Sequence, residues 1–85
     1  HIRAKSLASA INSIDSFSVN LETVQSNMIY ISCADGQAQS LVDNLSKEGI
    51  DILTINDSTV RVVIHLHITD EDIDRTINAF KKISN

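Results

Sequence analysis

Proline and tryptophan are absent from this 85-residue chain, and it has two glycines, Gly36 and Gly49, and a single cysteine, Cys33. Each shortage removes a class of function. One cysteine allows no internal disulfide and no cysteine-rich metal cage, and a reducing compartment fits best. Two glycines 13 positions apart make no glycine-rich phosphate loop. Phe17, Tyr30 and Phe80 are the only aromatics, too few for the stacking platforms of single-strand nucleic-acid binders. The formal net charge of −4 argues against a phosphate-backbone partner. No apolar run approaches the ~18 residues of a membrane span. The start, His1-Ile2-Arg3-Ala4-Lys5, is neither a signal peptide nor an initiating methionine. It reads as a cut from something longer, or as a tag remnant.

What remains is 42% hydrophobic, enough for one small aliphatic core and one domain over residues 1–85. Ala4, Leu7, Ala8, Ile11 and Ile14 recur at helical spacing, which predicts a helix over residues 2–14. Residues 17–33 favour extended structure, with a bend at Gln25-Ser26-Asn27. The continuous run Met28-Ile29-Tyr30-Ile31 predicts a strand covered on both faces. Asp35 is the expected N-cap of a second helix with Ala38, Leu41, Val42 and Leu45 as its buried stripe, and Gly49 its terminator. Two strands, Ile50 to Ile55 and Val60 to Leu66, flank the turn cluster Asn56-Asp57-Ser58 and predict a hairpin. For the last helix, Thr69 and Asp72 have capping-box spacing, and Ile68 and Ile73 the staple positions. The acids Asp70, Glu71, Asp72 and Asp74 crowd its start, and Lys81 and Lys82 its end, as the helix dipole favours. Ile73, Ile77, Phe80 and Ile83 form its buried stripe. The expected fold is α+β: a two-layer sandwich of three helices on a mainly antiparallel sheet of three to four strands.

The strand Val60 to Leu66 carries the chemistry. Alternation puts Val60, Val62, Ile64 and Leu66 on the helix side and Arg61, Val63, His65 and His67 on the other. An open surface rarely needs Val63, whereas a face met by another domain would. Arg61 offers a planar fork for a carboxylate. On pattern alone, a solvated arginine or a local salt bridge is the plainer reading. His65 and His67, with Asp70 nearby, fall short of the ligand set a zinc site needs, so no metal is expected. Helix electrostatics account for the acidic run, and Cys33, ending an apolar strand, reads as an inert thiol.

Two longer segments carry a family resemblance. Glu22-Thr23-Val24-Gln25-Ser26-Asn27-Met28-Ile29-Tyr30 resembles an "ETVQTN" segment and the apolar strand after it. Val60 through His65-Leu66, leading into Ile68-Thr69-Asp70-Glu71-Asp72, resembles an arginine strand ending in "THLDVS" before an acidic-capped helix. Between them, Leu41 to Ile50 is similar to a helix closing in "L…EGI". The three together resemble the C-terminal small domain of low-specificity L-threonine aldolases, fold-type I enzymes that use pyridoxal phosphate. Ser26, Ile64 and His67 depart from the family pattern.

The resemblance implies a parent enzyme that cleaves threonine or allo-threonine to glycine and acetaldehyde. Its cofactor sits as a Schiff base on a large-domain lysine. Arg61 matches the arginine that grips the substrate carboxylate, with Val63 and His65 beside it on a surface facing the large domain or active site. It also implies a cytoplasmic homo-oligomer, a tetramer in the family, with no membrane or nucleic-acid partner. Lys5, Lys47, Lys81 and Lys82 fall on solvent-facing helix positions, so the 85 residues alone are expected to bind no cofactor and to be inactive. The competing readings are a free-standing α+β regulatory module that binds a small ligand on its sheet, and an interaction domain that dimerises through the Arg61 face.

Overall fold

The computed structural model describes residues 2–21, 27–47, 51–64 and 68–84. The elements run α1 (Ile2–Asn12), β1 (Ser18–Val19), β2 (Met28–Ser32), α2 (Ala38–Ser46), β3 (Ile52–Asn56), β4 (Thr59–Val63) and α3 (Asp70–Ser84). The strands form one antiparallel sheet in the order β1-β2-β4-β3. All three helices pack their stripes on the single core beneath one face, although Val42, Ile77 and Ile83 of the expected stripes are only partly buried. The expected α+β two-layer sandwich is the observed one.

Local chemistry explains most boundaries. Helix α1 ends at Asn12, two residues before the expected Ile14, and the Asn12 side-chain oxygen accepts the Val19 amide at 2.9 Å. Ala4, Leu7, Ala8, Ile11 and Ile14 are all buried. Helix α3 starts as a reciprocal capping box. The Thr69 amide donates to the Asp72 carboxylate at 3.0 Å, and the Asp72 amide donates to the Thr69 hydroxyl at 3.1 Å. Ile73 is buried and Ile68 packs on the core beside it, as a staple requires. Phe80 is fully buried and meets Phe17 edge-to-face, ring centres 5.2 Å apart.

Three expectations change. Asp35 does not cap α2. Gly36 adopts φ +79°, a left-handed turn that ends the chain's approach before the helix begins. The cap is Gln37, which makes no side-chain capping bond, and the Ala38 amide donates to the Asp57 carbonyl at 3.1 Å instead. The strand spans are shorter than expected: the described residues of 17–33 yield β1 and β2, and β4 ends at Val63. Finally, β2 is covered on one face only. Ile29 and Ile31 are buried, while Met28 and Tyr30 are exposed, because the helices all lie on the other side of the sheet. The β3–β4 hairpin forms as expected, with the Ser58 amide donating to the Asn56 side chain at 3.0 Å and a register shift between Thr54 and Asn56. Residues 25 and 26 of the expected bend, Gly49, His65, Leu66 and His67 lie outside the described residues.

Two measurements test these forces. Phe80→Ala should cost about 3–5 kcal/mol, read by urea denaturation, a large share of the stability available to a domain this small. Hydrogen bonds from the Thr69 backbone and hydroxyl, then the nearby Arg75 charge, hold the Asp72 carboxyl below the usual aspartate range. A depressed folded-state value stabilises above the unfolded-state value and is lost as pH falls through the folded one. Thermal melts of Asp72→Asn should therefore show a deficit at neutral pH that narrows as the pH falls below the ordinary aspartate value of about 4.

Candidate functional site

Strand β4 is central in the sheet, so both its edges are paired and its alternation is fixed. Val60, Val62 and Ile64 are buried beneath the helices. Arg61 and Val63 are half-buried on the opposite, outer face. Tyr30 of β2 and Leu53 of β3 stand directly across from Arg61, and Met28 across from Val63.

The backbone ladder decides which neighbour is nearer. The Ile64 amide donates to the Asn27 carbonyl at 2.7 Å, and the Cys33 amide to the Ser58 carbonyl at 2.8 Å. Hydrogen-bonded pairs therefore fall at 27–64 and 33–58, and alternate positions between them are non-hydrogen-bonded. Tyr30–Arg61 is one of the latter, the closer kind, with side chains brought together. On the β3 side, the Val63 amide donates to the Asp51 carbonyl at 3.1 Å, so Leu53–Arg61 is the wider, hydrogen-bonded kind.

The surroundings of Arg61 are apolar and open. Met28, Tyr30, Leu53 and Ile55 are between 38% and 48% exposed. Single exposed apolar residues are ordinary, but Met28, Tyr30 and Leu53 grouped on the outer face of adjacent strands, with Ile55 exposed at the register shift of β3, form a patch of the kind that meets a partner or ligand. At its centre the Nε of Arg61 is buried and has no hydrogen-bond partner. The other two arginines contrast with it: Arg3 pairs with Asp70 at 3.0 Å and Arg75 with Asp72 at 2.9 Å. An orphaned buried N–H is uncommon and costly. The strand's own alternation pointed to Arg61 and Val63. The collar from β2 and β3 was visible only as the alternate members of Met28-Ile29-Tyr30 and Ile52-Leu53-Thr54-Ile55, and needed the register to be placed.

Other expected features separate from this face. Lys5, Lys47, Lys81 and Lys82 are exposed on helices or at their ends, on the far layer. No group of three or more possible metal-ligating side chains occurs among the described residues. Cys33 is half-buried at a small cavity of about 180 Å³ lined by Phe17, Gln37, Leu41 and Ile83. A groove of about 370 Å³ runs beside Asn44, Lys47, Ala79 and Lys82.

No family model matches the chain. Over 96% of its length it is 36% identical to low-specificity L-threonine aldolase 1 of Arabidopsis thaliana, and over 98% it is 28% identical to a probable low-specificity L-threonine aldolase 2 of the same plant. The chain is similar to threonine aldolases from end to end. It spans about a quarter of the length of these relatives, 24% of each. Among solved structures, a NIFS-like protein shares its fold with a TM-score of 0.70 and 20% identity, over 96% of this chain and 27% of that one. The similarity to the aldolases bears out the resemblance drawn from the sequence motifs, and the structural match agrees with it in fold.

Burial, and next the negative charge of Asp35, push the Cys33 thiol above its ordinary value. The thiolate is the reactive form. Cys33 should therefore be alkylated by iodoacetamide at pH 7.5 several-fold more slowly than free cysteine, as measured by mass spectrometry.

Proposed function

We propose that this chain is one domain, residues 1–85, of a pyridoxal-phosphate-dependent threonine aldolase that cleaves L-threonine or L-allo-threonine to glycine and acetaldehyde. The observation that carries the reading is the 36% identity over nearly the whole chain to an L-threonine aldolase. In this reading the domain lies at the C-terminal end of the enzyme and supplies the arginine that holds the substrate carboxylate, Arg61.

Two features of Arg61 support that role. It is the single charged group among the outward-facing residues of β2, β3 and β4, and its Nε lacks a partner. A carboxylate takes two parallel hydrogen bonds from a guanidinium. The backbone beneath Arg61 is held by pairing on both sides, so the fork has a fixed origin. Holding the carboxylate orients the bond to be broken. The exposed apolar residues around Arg61 are then the surface that meets the remainder of the enzyme. Val63 belongs to that surface, and His65, expected there from the sequence pattern, lies outside the described residues. Covering it excludes water and strengthens the charge-assisted hydrogen bonds.

The cofactor does not fit this chain by itself. All four lysines are exposed on the helix layer, away from Arg61, and Gly36 and Gly49 make no phosphate cradle. In this reading the cofactor belongs to the rest of the longer enzyme, and the 85 residues are inactive alone. The enzyme itself is taken to be a cytoplasmic homo-oligomer, as the resemblance implies.

In the full-length enzyme, Arg61→Ala should lower kcat/KM for threonine on the order of a hundredfold while leaving the absorbance of bound cofactor unchanged. Arg61→Lys should recover only part of the loss, because an ammonium lacks the fork. Unchanged cleavage kinetics in Arg61→Ala would reject the assignment.

A further inference from the structure

We propose that Tyr30 is a positioning residue for Arg61: its ring forms the near wall of the guanidinium site and sets how tightly that site holds a carboxylate. The inference rests on the reading of Arg61 given above and extends it to a second strand.

Tyr30 stands across from Arg61 in a non-hydrogen-bonded pair, where the Cβ atoms of opposite residues approach to about 4.5–5.5 Å. It is the one aromatic outside the core: Phe17 and Phe80 are both buried against each other. The Tyr30 ring is 45% exposed, so it lines the open face on the side of the cation and is not spent on the core. Its value lies in what it does to the cation. A rigid ring at close range restricts the arginine's rotamers and keeps water from one side of its stem. The Arg61 Nε is buried without a partner, so hydration is already withheld from that donor. Leu53, the opposite neighbour, stands across the wider kind of pair and has no ring, which makes it the weaker wall. A guanidinium held in this way loses less freedom on binding, and its hydrogen bonds to a carboxylate act in a lower dielectric. The ring performs this task and the phenol hydroxyl does not, so phenylalanine should replace tyrosine.

The test uses the full-length enzyme with its cofactor. Tyr30→Ala should weaken inhibition by glycine about tenfold and raise KM for threonine by a similar factor, with kcat within about twofold. Inhibition by ethylamine, which has no carboxylate, should not change. Tyr30→Phe should restore glycine affinity to within about twofold of the parent. In an Arg61→Ala background, Tyr30→Ala should have no further effect. The proposal is overturned if Tyr30→Ala leaves glycine affinity unchanged, if it weakens ethylamine equally, if its effect persists without Arg61, or if Tyr30→Phe is as impaired as Tyr30→Ala. A strong loss in Arg61→Ala with none in Tyr30→Ala rejects only the role of Tyr30. No loss in Arg61→Ala rejects the carboxylate assignment and this proposal together.

Discussion

Side chains on a β-strand alternate between its two faces, and in β4 that alternation divides one backbone between two tasks. Val60, Val62 and Ile64 hold the sheet to the helices, while Arg61 and Val63 face outward from the same five residues and their neighbour. Register cannot slip by one residue without burying the Arg61 guanidinium in the aliphatic core and exposing three branched side chains. The burial of uncharged Val and Ile therefore fixes where the one outward charge stands. Pairing on both edges of β4 adds to this, since neither strand edge is free to move.

The helix layer is what makes that sheet face reliable. Its stripes were readable from spacing because helical periodicity and burial coincide: Ala4, Leu7, Ala8 and Ile11 in α1, and Ala38, Leu41 and Leu45 in α2, are all buried. The capping box at Thr69 and Asp72 was readable for the same reason, since the bonds are local and the spacing is their signature. Asp35 failed as a cap because the decisive feature, the left-handed turn at Gly36, belongs to the backbone and leaves the sequence pattern unchanged. The apolar run from Met28 to Ile31 misled in another way. Continuous hydrophobicity reports that both faces of a strand avoid water in the working protein, and this domain supplies a cover for only one.

That second failure is informative about the site. Arg61 and Val63 were legible from alternation in a single strand. Tyr30, Met28, Leu53 and Ile55 were not, because cross-strand neighbours depend on register, and the β3–β4 register shifts between Thr54 and Asn56. Nothing in a linear pattern marks which residue will stand opposite Arg61. Under the proposed function the rest of a longer enzyme would cover this bare apolar face; the chain spans about a quarter of the length of the relatives it matches.

A bare apolar face has a cost in an isolated domain and a benefit in an assembled one, and the balance favours a particular design. Met28, Tyr30, Leu53 and Ile55 leave 38–48% of their surface exposed, so most of the stability of the 85 residues must come from the single core beneath the sheet. In the proposed enzyme, covering them would add hydrophobic stabilisation in the same step that removes water from Arg61. Under that proposal, assembly and preparation of the cation are one event at one surface. A charge on a helix end or a loop would not gain this, because its environment would change independently of the interface. Placing the cation at the centre of a sheet, with its origin fixed by the core and its surroundings completed only by a partner surface, gives it geometric precision before assembly and electrostatic strength after it.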